Sequence, residues 1–300
     1  MTPRSETPYV GLDDLDEVWL QVGGTLCNLA CNHCFISCHP GNRSFGFLHL
    51  DDVRRHIDDA VRLGVKEFYF TGGEPFLNKE LVPMLRLALR RAPATVLTNG
   101  TVFTRSILDE LADAARASRY SLELRVSLDG PDAATNDPIR GEGTFEQTMR
   151  GVEALVAHRF LPIITVTQTW PHERTEEMFA GFVAMLRRRG YERPRIKILP
   201  TLHIGMEEKR SRPYLDAERV TSAMLEGFDT DHLLCSHSRT VTDRGVAVCP
   251  ILVETPGSHL GSSLEEAARP FAVEHGACHT CYVHGAICSN ASASLHAGDR

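Results

Sequence analysis

CNLACNHC, residues 27–34, is the stretch from which the fold and chemistry of this 300-residue chain can be predicted. It follows an apolar, strand-like run at Val18–Val22 and holds three cysteines, Cys27, Cys31 and Cys34. Thiols this close together are typical of a shared soft metal, because thiolates select zinc, copper(I) or iron–sulfur clusters. The spacing indicates a four-iron cluster that three cysteines hold, with one iron open to a non-protein ligand. The stretch therefore predicts a reactive metal centre rather than a closed structural site.

The composition excludes several classes of protein. The net charge is −7 and basic residues are interspersed with acidic ones, so no basic face argues for nucleic acid or an anionic membrane. The N-terminus carries no charged-then-apolar signal region, and no run approaches the roughly 18 apolar residues of a membrane span. Nine cysteines, an odd number, fit metal binding in a reducing cytoplasm better than a disulfide framework. We expect a cytoplasmic protein without a nucleic-acid or membrane partner.

Short apolar runs alternate with amphipathic stretches from residue 18 to about residue 202. Several runs are apolar on both faces, as strands of a buried parallel sheet are. The stretches between them have helical periodicity, for example at Leu50, Val53 and Ile57. The alternation predicts an α/β fold, a partial (β/α)6 TIM-like barrel with right-handed crossovers. The predicted strands are Val18–Val22, Glu67–Phe70, Thr95–Leu97, Leu122–Leu128, Pro162–Thr167 and Arg195–Leu199.

A second motif, Gly72-Gly73-Glu74-Pro75, follows the second predicted strand. In barrels of this class the chemistry lies at the C-terminal ends of the strands, where the cysteine stretch also falls. Two glycines let the backbone approach a ligand closely, and a carboxylate beside them can bind an amine. Alone, the motif is more typical of an ordinary βα turn with an exposed glutamate. Its position one βα unit after the three cysteines favours a binding site.

Together, the two motifs make residues 18–202 resemble the radical S-adenosylmethionine (SAM) superfamily. The resemblance implies a [4Fe–4S] cluster on the three cysteines, with the amino and carboxylate groups of SAM on the open iron. Reductive cleavage of SAM would give a 5′-deoxyadenosyl radical that abstracts a hydrogen atom from the substrate. An electron donor such as flavodoxin or ferredoxin is also implied.

The resemblance also implies which residues surround SAM. Glu74 and the neighbouring backbone would bind the ammonium group, and His33 matches a usually aromatic position near the adenine. The run from Asp129 to Phe145 resembles sulfatase maturases and peptide-modifying enzymes, in which an arginine, here Arg140, helps hold the SAM carboxylate. Each of these side chains could instead be a solvated loop residue. The other candidates are Gly72, Gly73, Pro75, Asn99, Ser127, Asp129 and Leu199.

Five further cysteines lie in the C-terminal tail, at positions 235, 249, 278, 281 and 288. Asp243-Arg244-Gly245 predicts a hairpin turn that would bring the first two thiols onto adjacent strands. The tail resembles the auxiliary-cluster domains called SPASM and, in the shortened form, twitch. A full SPASM domain has more cysteines and two clusters, so the resemblance implies one auxiliary [4Fe–4S] cluster here. Its expected ligands are Cys235, Cys249, Cys278 and Cys281, with Cys288 as a competing ligand or a free thiol.

Two other cysteine assignments stay open. A zinc site is the alternative in the tail, because Cys-x2-Cys lies near His275, His279 and His284. Cys38, four residues after the third cysteine, is interpreted as a small residue that faces the cofactor cavity rather than as a ligand.

The predicted organisation is an N-terminal extension at 1–17, the partial barrel at 18–205, a linker with a helix at 206–234, and the cysteine-rich domain at 235–300. Within the linker we expect a polar segment at Glu207–Arg212 and a helix near Asp216–Gly227. Thr144 and Gln147 predict a capping box at the start of a barrel helix.

The sequence predicts a radical SAM oxidoreductase. A small polar metabolite such as an aminocyclitol or sugar is the favoured substrate, because only about seventeen residues precede the first strand and leave no room for a fused peptide-recognition domain. The reaction would be an oxidation, dehydration, epimerisation or cross-link. A ribosomal peptide or protein side chain is the alternative substrate, and a non-catalytic iron–sulfur or zinc protein is the alternative of another class.

Overall fold

A computed structural model describes residues 7–285 and 287–288 and contains one large sheet. Six parallel strands run in sequence order across its centre and pair as consecutive neighbours. The order agrees with right-handed β/α units, and the two edge strands of the sheet do not pair with each other, so the barrel is partial. These six strands are β2 (Glu17–Leu20), β3 (Glu67–Phe70), β4 (Ala94–Thr98), β5 (Leu122–Ser127), β6 (Ile163–Thr167) and β7 (Arg195–Leu199).

All six predicted strands are confirmed. The bounds of β3 and β7 are as predicted, and the ends of the other four differ by one or two residues. Their outward side chains are buried beneath helices, as on Val18, Phe68 and Val126, which explains the apolar runs in the sequence. Six helices of the barrel region cover this face. They are α1 (Leu50–Arg62), α2 (Leu81–Ala88), α3 (Arg105–Arg116), α4 (Ala133–Arg140), α5 (Thr144–Ala157) and α6 (Thr175–Arg188).

The predicted capping box at Thr144 is wrong. Thr144 is the first residue of α5, and the preceding Gly143 occupies the cap position without a side-chain bond. The Thr144 hydroxyl instead donates to the Gly141 carbonyl at 2.7 Å. Helix α4, which the sequence did not predict, ends at Arg140. Only residues 141–143 separate it from the start of α5.

The sheet continues beyond the barrel into the tail. Strand β8 (Ser238–Thr242) pairs in parallel with β2, and it forms an antiparallel hairpin with β9 (Gly245–Ala247), to which β10 (His259–Gly261) is added. The predicted turn at Asp243-Arg244-Gly245 is confirmed. The placement of the thiols on its strands is wrong, because Cys235 lies in a 3-10 turn before β8 and Cys249 follows β9.

The sequence of β8 does not predict a core strand, because it contains the charged residue Arg239. Its side chain is completely buried and donates to the carbonyl oxygens of Cys235, Ala267 and Arg269. These acceptors satisfy a cation that apolar surroundings would otherwise exclude. An arginine in a short run of polar residues therefore conceals a fully buried strand.

The connecting segments differ in part from their predictions. The stretch predicted as a polar linker contains a short helix, α7 (Met206–Arg210), and the helix predicted near Asp216–Gly227 is only the four-residue α8 (Ser222–Leu225). Near the N-terminus, β1 (Tyr9–Val10) pairs with β11 (Phe271–Ala272), and the last described helix is α9 (Gly276–His284). No helix among the described residues is both long and apolar enough to cross a membrane.

Candidate functional site

The three cysteines of residues 27–34 line one cavity at the C-terminal ends of the barrel strands. All nine cysteines are free thiols. The backbone N–H of Leu29 donates to the Cys27 sulfur at 3.4 Å, and that of Cys38 donates to the Cys34 sulfur at 3.2 Å. The Cys31 sulfur lies 4.0 Å from a guanidinium nitrogen of Arg140.

This set of donors fits an iron–sulfur cluster. Each sulfur has an N–H group beside it, and such hydrogen bonds stabilise the negative charge of a cluster ligand. Burial raises the pKa of the Cys27 thiol to about 12 and also raises that of Cys31. Hydrogen bonds from Cys38 lower the pKa of Cys34 below its ordinary value. A bound metal would deprotonate all three thiols.

The glycines of the second motif pack against the cysteine segment. A side chain on Gly73 would collide with the carbonyl oxygen of Leu26, and a Cβ on Gly72 would lie 2.7 Å from the backbone of Gly23. The N–H of Gly73 donates to Gly24 at 2.9 Å and that of Glu74 donates to Leu26 at 2.9 Å. Both glycines also line the cavity. Their small size therefore brings the second βα turn against the backbone that leads into Cys27.

Glu74 is fully buried, with 0% of its surface exposed, and its side chain does not line the cavity. Its carboxylate accepts hydrogen bonds from the Phe76 N–H at 3.0 Å, the Thr98 hydroxyl at 2.8 Å and the Asn99 N–H at 2.8 Å. Burial raises the pKa of Glu74 to about 7 against these favourable bonds. The carboxylate thus joins the second βα turn to the third.

Asn99 carries this connection back to the cysteine segment. Its amide nitrogen donates to Asn28 at 2.8 Å and lies 3.7 Å from the Cys27 sulfur, while its oxygen accepts from the Thr101 N–H at 2.9 Å. Asn99 is buried and lines the cavity. The Asn-Gly pair that ends β4 therefore positions a cysteine in addition to forming a turn.

Asp129, Arg140 and His33 form a buried ionic cluster beside the cavity. The Asp129 carboxylate lies 2.6 Å from Arg140 Nε and 2.8 Å from His33 Nε2. Its other oxygen accepts from the Thr167 N–H at 2.8 Å. Burial alone would raise the pKa of Asp129, but the charges of Arg140 and His33 hold it below its usual range.

The cavity collects most of the residues that the sequence predicted around a cofactor. His33, Gly72, Gly73, Asn99, Ser127, Arg140 and Leu199 all line it. Glu74, Pro75 and Asp129 do not line it, and all three are buried. The site thus contains the predicted residues in two layers, with two of the predicted carboxylates in the outer layer.

Sequence reasoning missed Glu207, the only acidic residue that lines the cavity within the described part of the chain. It is 1% exposed, and both of its oxygens accept from Arg210 at 2.7 Å. The Met206 N–H donates to the Cys34 carbonyl at 3.0 Å, which docks α7 onto the cysteine segment. The spacing of Glu207 and Arg210 predicts a helical turn, but it does not predict the docking of α7 or the burial of Glu207.

Below the cavity the barrel interior is polar. Glu17 is buried on β2, and burial raises its pKa to about 7. Arg125 on β5 is fully buried and donates to the carbonyl oxygen of Cys288. Burial and the charge of Arg125 lower the pKa of Lys197 on β7 to about 8. The tail therefore reaches into the barrel at Cys288.

The tail cysteines lie in two places. Cys235, Cys249, Cys278 and Cys281 line a second, mostly apolar cavity, whereas Cys288 lines the barrel cavity. Burial and the neighbouring Cys288 raise the pKa of Cys281 well above its usual value. No three His, Cys, Asp or Glu side chains in residues 7–285 and 287–288 converge as ligands of a single metal ion. The zinc site near His275, His279 and His284 stays a prediction.

Comparison with known proteins identifies a family for this fold. The model of the radical SAM superfamily matches residues 22–186. The AdoMet-dependent heme synthase of Nitratidesulfovibrio vulgaris is 36% identical over 132 residues, which are 42% of this chain and 33% of that protein. The mycofactocin maturase MftC of Mycobacterium tuberculosis is 33% identical over 135 residues, 45% of this chain and 33% of that protein. The match thus spans about a third of the length of these relatives.

Solved structures share the fold. Streptococcus suis SuiB bound to S-adenosylmethionine has a TM-score of 0.63 to this chain and covers 84% of it and 64% of its own length, at 16% identity. At that identity the likeness concerns the fold alone.

Proposed function

The chain belongs to the radical SAM superfamily, and from this premise we propose that it is an oxidoreductase that cleaves SAM to modify a small polar molecule. When bound, a [4Fe–4S] cluster on Cys27, Cys31 and Cys34 would supply the electron that releases a 5′-deoxyadenosyl radical from SAM. The observation that carries this proposal is the set of three free thiols around one cavity, each with an N–H donor beside its sulfur.

The chain's own residues would hold the reactants in place. The Gly72-Gly73 turn packs against the segment before Cys27, so the cluster and the binding edge of the second strand form one rigid unit. Arg140 faces the cavity and supplies the fork of donors that suits a carboxylate such as that of SAM. Leu199 and Ser127, at the ends of β7 and β5, would line the nucleoside part. A low-potential carrier such as flavodoxin or ferredoxin would deliver the electron in the cytoplasm.

The covered sides of the cavity and the hydroxyl groups in its lining support a small polar substrate. Helix α7 docks over one side, and Cys288 with Ile287 covers another. The lining includes the hydroxyl-bearing residues Thr71, Ser127 and Thr167, and Glu207, whose two carboxylate oxygens are bonded to Arg210. These groups suit a molecule rich in hydroxyl or amino groups, such as an aminocyclitol or sugar.

A ribosomal peptide is the second candidate substrate. One specific observation favours it: the similarity of residues in this chain to the maturase MftC, at 33% identity. Assay of both substrate classes with the same enzyme preparation would separate them.

The test of the proposed function is SAM cleavage by the anaerobically reconstituted protein. With dithionite as reductant, we expect 5′-deoxyadenosine and methionine to form in equal amounts, measured by liquid chromatography and mass spectrometry. Boiled protein and protein without iron and sulfide are the controls. A reduced, intact cluster that yields no 5′-deoxyadenosine would refute the proposal and favour a non-catalytic iron–sulfur protein.

We further propose one auxiliary [4Fe–4S] cluster on Cys235, Cys249, Cys278 and Cys281. Their joint lining of the second cavity supports this ligand set. The cluster would either accept an electron from the substrate radical, which makes the reaction a net oxidation, or bind and orient the substrate. Cys288, which lines the barrel cavity instead, remains a competing ligand.

Replacement of one cysteine at a time separates these assignments. We expect Cys281→Ala to lower the iron content by about four atoms per chain, because it removes one of four ligands. Cys288→Ala is the matched control and should keep about eight atoms. The measurement is iron and sulfide analysis with electron paramagnetic resonance of the reduced proteins. The reverse pattern, with iron lost only from Cys288→Ala, would show that Cys288 and not Cys281 is a ligand of the auxiliary cluster.

A further inference from the structure

A surface cleft at the C-terminal ends of β2 and β8 carries positive charge. One of its walls is the segment that leads into α1, and the other is the turn of the β8–β9 hairpin. Three arginines and two aspartates line it, a positive excess on a chain whose net charge is −7. The cleft therefore differs in sign from the molecule as a whole. These charged residues are Arg43, Asp52, Arg55, Asp243 and Arg244.

Both aspartates of the cleft have partners inside the protein. Asp52 pairs with Arg55 one turn further along α1, and the Asp243 carboxylate accepts from the Gly46 N–H at 2.8 Å. This contact is close, because a Cβ on Gly46 would lie 2.9 Å from the Asp243 carboxylate. The bond joins the hairpin turn of the tail to the barrel and so holds the two walls of the cleft together.

Arg43 and Arg244 supply the positive charge that remains. Both are exposed, and neither forms an ion pair within residues 7–285 and 287–288. A guanidinium nitrogen of Arg43 donates to the carbonyl oxygens of Pro40 and Asn42 at 2.9 and 3.0 Å, and the Arg244 guanidinium lies 4.8 Å from the centre of the Phe45 ring. Such contacts hold an arginine in place without neutralising it. The cleft thus presents one cation from the barrel and one from the tail.

The wall of the cleft is continuous with the segment that ends at Cys27. Leu26, the residue before Cys27, lines the cleft. The Phe45 carbonyl accepts from the Thr25 N–H at 3.2 Å, and a side chain on Gly24 would collide with the same carbonyl oxygen. The positive cleft therefore lies beside the backbone that carries the first of the proposed cluster ligands.

Two other surface clefts lack this combination of features. The cleft that Tyr214 and His275 line contains three glutamates and two arginines, so its charge has the opposite sign. The cleft that Arg90 and Arg119 line is positive, but it lies before β4 and β5, at the opposite end of the barrel, and no cysteine lines it. Of the three, the cleft beside Leu26 combines positive charge with a position next to a cluster ligand.

We propose that this cleft is the docking surface of an acidic one-electron carrier protein, which reduces the cluster on Cys27, Cys31 and Cys34. The inference rests on the proposed function, which requires an electron from outside the protein. Two negatively charged proteins repel each other, so an acidic carrier approaches this chain best where the local charge is positive. Arg43 and Arg244 would bind carboxylates of the carrier. One electron then leaves the carrier and reduces the cluster, which favours docking beside a cluster ligand.

The test compares electron delivery by a protein with delivery by a small molecule. Reduced flavodoxin is the probe for the carrier, and excess dithionite is the reductant that needs no docking surface. The variant Arg43→Glu/Arg244→Glu reverses both charges, whereas Arg43→Lys/Arg244→Lys keeps them. Arg90→Glu/Arg119→Glu reverses two exposed arginines at the opposite end of the barrel and is the matched control.

With flavodoxin at low ionic strength, we expect the charge reversal at positions 43 and 244 to slow formation of 5′-deoxyadenosine about tenfold. The lysine variant and the matched control should stay within about twofold of the wild type. With dithionite, all of these proteins should cleave SAM at rates within about twofold of one another, because a small reductant does not use the cleft. Added salt should slow the flavodoxin reaction of the wild type toward that of the reversed variant, because ions screen the attraction.

Three results with flavodoxin would overturn the inference. They are an unchanged rate in the reversed variant, an equal loss in the matched control, and a lysine variant as slow as the reversed one. A reversed variant that is also slow with dithionite would overturn it, because the two arginines would then act on the structure or on SAM. So would a wild-type protein that works with dithionite but not with flavodoxin. Wild-type protein that forms no 5′-deoxyadenosine with dithionite would overturn the proposed function itself, so the two failures are distinguishable.

Discussion

Replacement of Cys27, Cys31 and Cys34 together by alanine is expected to abolish SAM cleavage and to leave about four iron atoms per chain in the tail. All three thiols line the same cavity, so their loss removes every protein ligand proposed for the first cluster. The second set of cysteines lies in a separate cavity and keeps its ligands. Iron analysis, electron paramagnetic resonance and assay of 5′-deoxyadenosine measure both effects on one preparation.

Cys38→Ala is the matched control for this triple variant. Cys38 is buried in the same segment and lines the same cavity. Alanine keeps the backbone N–H that donates to the Cys34 sulfur and removes only the hydrogen bond of the Cys38 thiol to Cys34. We expect about eight iron atoms per chain in this variant. SAM cleavage that persists in the triple variant would show that the three cysteines do not hold the radical-generating cluster. Loss of all iron from the triple variant would contradict the proposal of a second cluster in the tail.

The barrel could be predicted because its evidence is local in the sequence. Buried parallel strands between amphipathic helices give apolar runs at regular intervals, and the runs from Val18 to Leu199 carry that pattern. Strand β8 has no such pattern. Its Arg239 is buried because carbonyl oxygens of Cys235 and of the distant segment that holds Ala267 and Arg269 receive its guanidinium. Long-range acceptors of this kind cannot be seen in a single sequence.

The sequence predicted which residues form the candidate site better than it predicted their contacts. The family resemblance implies that His33, Asp129 and Arg140 lie around SAM, and the structure joins them in one ionic cluster. Which of them faces the cavity depends on side-chain direction, and Asp129 lies behind the other two. Glu207 was hidden because a charged run after a barrel usually indicates a solvated linker. The bond from the Met206 N–H to the Cys34 carbonyl docks this helix on the cysteine segment, where Glu207 is buried.

Glu74→Ala is expected to lower both the stability of the protein and its iron content. The substitution leaves the Phe76 N–H, the Thr98 hydroxyl and the Asn99 N–H without their acceptor in a fully buried position. Three unpaired donors of this kind reduce the free energy of unfolding by about 3–5 kcal/mol. Because Asn99 contacts the Cys27 sulfur, the disturbance reaches the cluster ligands. Thermal unfolding and iron analysis measure the two losses.

Two further variants separate this structural role of Glu74, in which its carboxylate accepts three hydrogen bonds, from direct binding of SAM. Glu74→Gln keeps one oxygen acceptor but turns an amide N–H₂ toward a backbone donor, so we expect a loss of about 1–2 kcal/mol. Glu142→Ala, at an exposed glutamate, is the control and should change stability by less than about 0.5 kcal/mol. If Glu74→Ala keeps wild-type stability and iron but loses affinity for SAM, the carboxylate is instead the ammonium ligand that the family resemblance implies. The buried position of Glu74 favours the structural role. Its carboxylate is bonded to three donors behind the cavity wall and would have to leave all of them to reach a ligand.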